Sequence, residues 1–222
     1  MKHLHCTWLA LTLLLLSGVA SLSAQEKTFP TSTFSLYVGS SWYTGKMLGI
    51  TQQADAYKND LRKGVAWEAE YWYTGKRTSE KAVKVGPGLL YQGSLYKATH
   101  EEGSDKIGMH YLALQLGVFF FHKHGMWQVS AGSGYQFYAD KSTVYGKPRD
   151  VSMNKLAFNL SGGGEYFLSR HWGLSARLNW ILSSSEAYSV DYHSEHWQVN
   201  DPETGKGYFG QLSLLFGVNY HF

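Results

Sequence analysis

From Thr33 onward, apolar and polar positions alternate with a period of two residues. That is the period of a β-strand, in which successive side chains point to opposite faces. The pattern predicts strands over residues 33–43, 64–74, 82–96, 109–121, 126–139, 153–168, 173–184 and 208–222. The last is the clearest: Leu212, Leu214, Phe216, Val218, Tyr220 and Phe222 alternate with Ser213, Leu215, Gly217, Asn219 and His221. One face of the predicted strands carries no charged residue. Every charge within a strand body falls on the other face, at Glu68, Glu70, Lys84, Lys155, Glu165 and Arg177.

The links between these segments alternate in length. Those at 75–81, 122–125 and 169–172 are short, whereas those at 44–63, 97–108, 140–152 and 185–207 are longer. A meander whose two ends differ in this way matches an outer-membrane barrel, with short periplasmic turns, long extracellular loops and an even strand number. The expected fold is all-β, an eight-stranded antiparallel up-and-down transmembrane β-barrel over residues 33–222, its lumen filled by side chains. The uncharged face would meet lipid, because a charge against hydrocarbon is costly. The other face, rich in Ser, Gly, Asn and Gln, would line the lumen. Buried charges persist when paired, so Glu68, Glu70 and Glu165 are expected to face Lys84, Arg177 and Lys155 in a structural network. Aromatic side chains collect at the strand ends, and Trp42, Trp67, Tyr71, Tyr73, Trp127, Tyr166, Trp180 and Tyr220 are the expected interfacial girdles.

The first residues read as an export signal. Lys2 and His3 precede an apolar stretch over residues 8–20, and small residues follow up to Ala24. Residues 1–24 are expected to be a signal peptide cleaved after Ala24, followed by a short N-terminal segment at 25–32. The single cysteine, Cys6, would leave with it. Elsewhere no apolar run approaches the ~18 residues of a membrane helix. Aromatic residues make up 16 % and charged residues 17 % of the chain, and the second figure is below the roughly 25 % usual for a soluble domain. A formal charge of +3 gives no reason to expect nucleic acid as a partner.

The ending Gly217-Val218-Asn219-Tyr220-His221-Phe222, with Gly217, Tyr220 and Phe222 in the diagnostic places, looks like the C-terminal signal read by the barrel-assembly machinery. It departs from that signal at Leu215, where a polar residue is usual. With the leader and the eight strands, the chain resembles the small porin-family outer-membrane proteins of the OmpX and OmpA-transmembrane-domain type. Leu61-Arg62-Lys63-Gly64 is similar to a phrase recurrent in such barrels. The resemblance implies localisation in the outer membrane after export, insertion by the barrel-assembly machinery, and contact with outer-membrane lipid and lipopolysaccharide.

Candidate chemistry is sparse. His193 and His196, flanked by Asp191, Glu195 and Asp201, have metal-ligand types but sit in a long link, and the expectation is a solvated loop. His122 and His124 occupy a tight turn. Gly162, Gly163 and Gly164 lie in a strand and are expected to permit a bend, not to cradle phosphate; Pro87 is expected to mark a bulge or kink. Lipid A deacylases of the PagL type use a His-x-Ser pair, which no histidine here supplies; palmitoyltransferases of the PagP type need His, Asp and Ser on loops, for which His193, Asp191 and Ser194 are available. No catalytic, cofactor or metal site is assigned, and an enzyme is not expected. A wide pore is not expected either, since open channels need ~16 strands. The resulting expectation is a monomeric structural and surface-interaction barrel that contacts an unidentified surface or periplasmic protein through 44–63 and 185–207, with Tyr192 and Trp197 as exposed anchors. A lipid-modifying enzyme of acyltransferase or deacylase type, or a membrane subunit of a secretion or assembly machine, are the alternatives.

Overall fold

The computed structural model describes residues 30–45, 47, 49–75, 83–185, 187–193, 195–200 and 207–222. The expected signal peptide lies outside the described residues. The elements are β1 (Ser32–Tyr43), α1 (Asp55–Leu61), β2 (Lys63–Tyr73), β3 (Val83–His100), β4 (Gly103–His122), β5 (Gly125–Val144), β6 (Lys147–Phe167), β7 (Trp172–Ser185), β8 (Ala187–Tyr192), β9 (Glu195–Asn200) and β10 (Gly207–His221). Strands β1 to β7 pair in chain order, and β10 pairs with both β7 and β1, which closes an antiparallel ring of eight. Closure gives each of the eight strands of the ring a ladder on both sides, the condition for a sheet in lipid. The register is continuous in all eight ladders, and Pro87, opposite Leu116, causes no bulge. Its missing N–H costs little, because the β2–β3 ladder ends one pair earlier at Trp72↔Gly88.

The alternation sorts the side chains as expected. Leu114, Leu116, Val38, Val85 and Phe216 stand exposed on the outside, while Gln115, Asn179, Ser213 and their neighbours are buried inside. The loop side differs from the expectation. The stretches 97–108 and 140–152 are not loops: β3 and β4 run on to a two-residue turn at Glu101–Glu102, and β5 and β6 to one at Tyr145–Gly146. Tyr145 and Gly146 both have positive φ, 48° and 75°, as a tight hairpin turn requires. Beyond the membrane the outward residues become polar, so alternation continues without the apolar signature that marked the strands. The link 185–207 contains the hairpin β8–β9, whose β8 pairs with β6 at Arg149 to Ser152. The link 44–63 contains α1.

Followed along β4 from its turn end, the lumen is a stack of layers. Phe121 and Phe119 pack with Trp72 and Met126, the Trp72–Phe119 rings meeting edge to face at 5.1 Å. Gln115 enters a polar layer. Ala113 and Tyr111 join Leu90, Ala157 and Ile181. Met109 and Ile107 belong to the largest cluster, where Met47, Ile50, Tyr57 and Leu61 fold back from the β1–β2 link against Tyr43, Tyr96, Tyr138 and Phe209. A seven-residue helix is marginal alone. α1 is held because Tyr57 and Leu61, one turn apart, both face this cluster. Burying a leucine completely stabilises by about 1.5–3 kcal/mol, and Leu61 is fully buried. The inward face is therefore less polar than its Ser and Asn content suggests.

Candidate functional site

Two polar assemblies occupy the interior. In the first, Arg177 on β7 bonds Glu70 through Nη1 and approaches Glu68 at 3.4 Å through Nε, while Nη2 donates to Ser161 Oγ at 2.6 Å. Gln115 donates to Glu70 Oε1 at 2.9 Å, and Asn179 donates to Glu68 Oε2 at 2.9 Å and to Gln92 at 2.8 Å. Two carboxylates thus share one guanidinium and each accepts from an amide, while Glu68 Oε1 and Arg177 Nε have only their mutual ion contact. Beside them a space of only about 10 Å³ remains among Tyr37, Gln128, Ser161, Gly163 and Asn219, no more than one water would need.

The other three charges of the expected network stand apart. Glu165 meets His221, not a lysine: Oε1 lies 2.5 Å from Nε2, and His221 Nδ1 lies 3.0 Å from Thr33 Oγ1. Lys84 sits near the turn end, donates to the carbonyls of Pro30 and Gly75 and lies 5.8 Å from the Phe121 ring. Lys155 forms no ion pair with a described residue. The geometric reason is spacing. Lys155 is on β6 ten residues from Glu165, and Lys84 belongs to the row of Phe119, outside reach of Glu68 and Glu70. His221 was hidden as a partner because it reads as part of the terminal assembly signal.

The second assembly crowns the large apolar cluster on the loop side. Asp105 Oδ2 accepts from Thr51 N at 2.9 Å, Thr51 Oγ1 at 2.8 Å and Tyr57 OH at 2.8 Å, which ties the β1–β2 link to β4. Asp140 on β5 accepts from Lys106 N at 3.1 Å. Arg149 Nη2 lies 3.6 Å from Asp105 and 3.7 Å from Asp140, and also bonds the Gly49 carbonyl. Burial, and then the facing Asp105 carboxylate, pushes the Asp140 carboxyl up to about 8, against the pull of Arg149. A carboxyl pair sharing a proton can do acid–base chemistry. Here both side chains are fully buried under the link, so the arrangement acts as a latch. These residues fall in stretches predicted as links; the continued alternation of Ile107 with Met109 and of Val151 with Met153 is the signal that would have placed them on strands.

At the surface, His196 Nδ1 lies 2.6 Å from Asp191 on the paired strand, while His193 is at the β8–β9 turn with φ 54°. Among the described residues no three His, Cys, Asp or Glu side chains are placed to hold a metal ion. Trp197 is exposed on β9 and Tyr192 half-buried against the His193 ring. His122 ends β4 and His124 lies in the two-residue β4–β5 turn, and Gly164 lies beneath the Trp127 ring, which a Cβ there would strike. Trp42, Trp67, Tyr71, Tyr73, Trp127, Tyr166 and Trp180 are exposed on the outer face. Tyr220 is half-covered, within 5.0 Å of Trp172 and 4.9 Å of Phe222. Gly217 lets the Tyr37 ring lie against the strand, and Leu215, the odd residue of the terminal signal, is buried with Tyr37 and Ala66 inside the lumen.

The sequence family described as outer membrane protein beta-barrel domain matches residues 11–222. Among solved structures, the outer membrane protease OmpT of Escherichia coli superposes with a TM-score of 0.50 at 9 % identity, covering 92 % of this chain and 100 % of that one. A major outer membrane protein of Thermus thermophilus gives 0.51 at 13 % identity over 86 % and 99 %. The attachment invasion locus protein Ail of Yersinia pestis gives 0.48 at 11 % over 86 % and 99 %. Identities this low convey likeness of fold alone. No curated protein matches the sequence. By its family match and its closed eight-stranded ring, the chain belongs to the outer membrane protein β-barrel domain family and resides in the outer membrane.

Proposed function

We propose that this protein is a sealed, monomeric, non-catalytic barrel that works through its loop-side surface, contacting another macromolecule there. One observation carries the reading: the β1–β2 link folds into the barrel mouth as an apolar plug, latched by Thr51 and Tyr57 to the buried Asp105. A plugged mouth above the Arg177 layer gives solutes no route. It also makes the loop side a folded structure, a rigid platform for recognition. On it, β9 presents Trp197, an aromatic of the kind that anchors interfaces. Positioning on a rigid element is what distinguishes such a side chain from a loop residue. A photo-reactive amino acid in place of Trp197, irradiated in intact cells, should form a discrete adduct with a macromolecule, whereas the same probe at Val85 on the outer wall should capture lipid. Absence of any adduct from β8 and β9 positions would refute the surface role. Lipid A whose acyl pattern changes when the protein is deleted, and is restored by the wild type, would favour an enzyme instead.

A further inference from the structure

The barrel mouth holds its own β1–β2 link much as a receptor holds a peptide. Arg149 Nη2 donates to the Gly49 carbonyl, and Asp105 Oδ2 accepts from the Thr51 amide at 2.9 Å. Between these two anchors the Ile50 side chain is buried in the apolar cluster with Tyr43, Tyr96, Ile107 and Phe209. Gly49 turns in the left-handed region, φ 68°, against Val151 and Tyr188. One carbonyl, one amide and the side chain between them are thus met by a guanidinium, a carboxylate and an apolar cup, the combination of main-chain bonds and a side-chain pocket by which extended peptides are recognised. The ring does not depend on this segment. Its eight ladders close without it, and among the described residues no main-chain hydrogen bond joins 45–61 to a wall strand.

The rim also carries more than a seal requires. Apolar side chains of similar size would close the mouth without the cost of burying charge. Asp105 and Asp140 are instead fully buried beside a single guanidinium, with Arg149 Nη2 3.6 Å and 3.7 Å away. No described amide or hydroxyl donates to Asp105 Oδ1 or Asp140 Oδ2. The link meets this pair with neutral groups alone, the Thr51 amide and the Thr51 and Tyr57 hydroxyls, all of them on Asp105 Oδ2. Two carboxyl groups facing one guanidinium have use for a second cation, and the link does not bring one.

We infer that the mouth is a peptide-binding site which the link occupies as an internal ligand, and that the loop-side partner is a polypeptide segment presenting an aliphatic residue followed by a basic one. The aliphatic side chain replaces Ile50 in the cup, and the basic side chain, entering from the position of Thr51, meets Asp105 and Asp140. Trp197 and Val199 on β9 stand opposite Val190 and Tyr188, so a chain that enters past Gly49 also passes the aromatic face of the hairpin. The inference rests on the surface contact proposed above and names its mode. The Arg177 layer keeps the lumen sealed while the link is displaced.

The test uses the full-length protein in detergent micelles with labelled synthetic peptides of residues 47–62, carrying the native sequence, Thr51→Lys or Thr51→Glu, read by fluorescence anisotropy. The Thr51→Lys peptide should bind in preference to the other two, and its binding should speed exchange of the barrel's own Thr51 amide as the link leaves. A weaker internal ligand competes less, so Leu61→Ala in the barrel should tighten binding on the order of 10-fold or more. In that background Asp105→Asn/Asp140→Asn should remove the preference for lysine, with heat-dependent gel mobility reporting that the ring is folded. Absence of binding to Leu61→Ala, equal affinity of wild type and Leu61→Ala, or a lysine preference that survives in the folded double asparagine variant would overturn the inference. A discrete adduct from Trp197 in cells without any peptide binding would also overturn it, and would leave the surface contact standing.

Discussion

Arg177 on β7 and Glu68 on β2 meet inside the lumen with Nε and Oε1 3.4 Å apart, although β1 and β10 stand between their strands in the ring. The contact ties together walls that share no ladder. Removing the guanidinium leaves two buried carboxylates without their cation. Arg177→Met should therefore destabilise the barrel by about 3–5 kcal/mol, measured by urea unfolding in lipid vesicles. Adding Glu68→Gln and Glu70→Gln to that variant should recover most of the loss. Failure to recover would mean that packing of the arginine stem, not charge pairing, holds this layer.

The plug should be separable from the wall. Leu61 is fully buried at the end of α1, and Leu61→Ala should cost the link about 2–5 kcal/mol of local stability. Protease cleavage within residues 49–62 should accelerate, while the heat-dependent gel shift of the ring stays as in wild type. A simultaneous loss of that shift would show link and ring to be one cooperative unit.

The latch should weaken in alkali. Asp140 has its carboxyl raised to about 8, above the ~3.9 of an unfolded aspartate. The folded state thus binds the extra proton, and the stabilisation is complete below about pH 4 and is lost as the pH rises through about 8. The charge on Asp140 then faces the Asp105 carboxyl group, with Arg149 3.6 Å and 3.7 Å from the two side chains. Exchange of the Thr51 amide, which donates to Asp105, should rise between about pH 5 and 8 more steeply than base catalysis alone requires, and the excess should end above about pH 8. Asp140→Asn should abolish that excess; persistence of the excess in this variant would refute the account.

Much of this architecture was legible in the sequence because lipid enforces a two-residue alternation that any strand in the band must obey. Leu112, Leu114 and Leu116 announce β4 unaided. Outside lipid the constraint relaxes, so Lys97, Lys106 and Lys141, although on the same strands, read as links. Arg177 with Glu68 and Glu70 was foreseeable from the shared inward face. The Glu165–His221 contact was not, since it depends on which rows the stagger of the ring brings together. The plug was hidden for a related reason: Met47, Ile50, Tyr57 and Leu61 show no period of their own and acquire a face only against Tyr96, Ile107 and Phe209.

The sealed lumen is tested most directly by current across a planar bilayer containing the purified full-length protein. The account predicts no steady conductance at neutral pH, and none after residues 47–61 are replaced by a short linker, because the Arg177 layer still fills the barrel. A stable ohmic channel in the wild-type protein would contradict it.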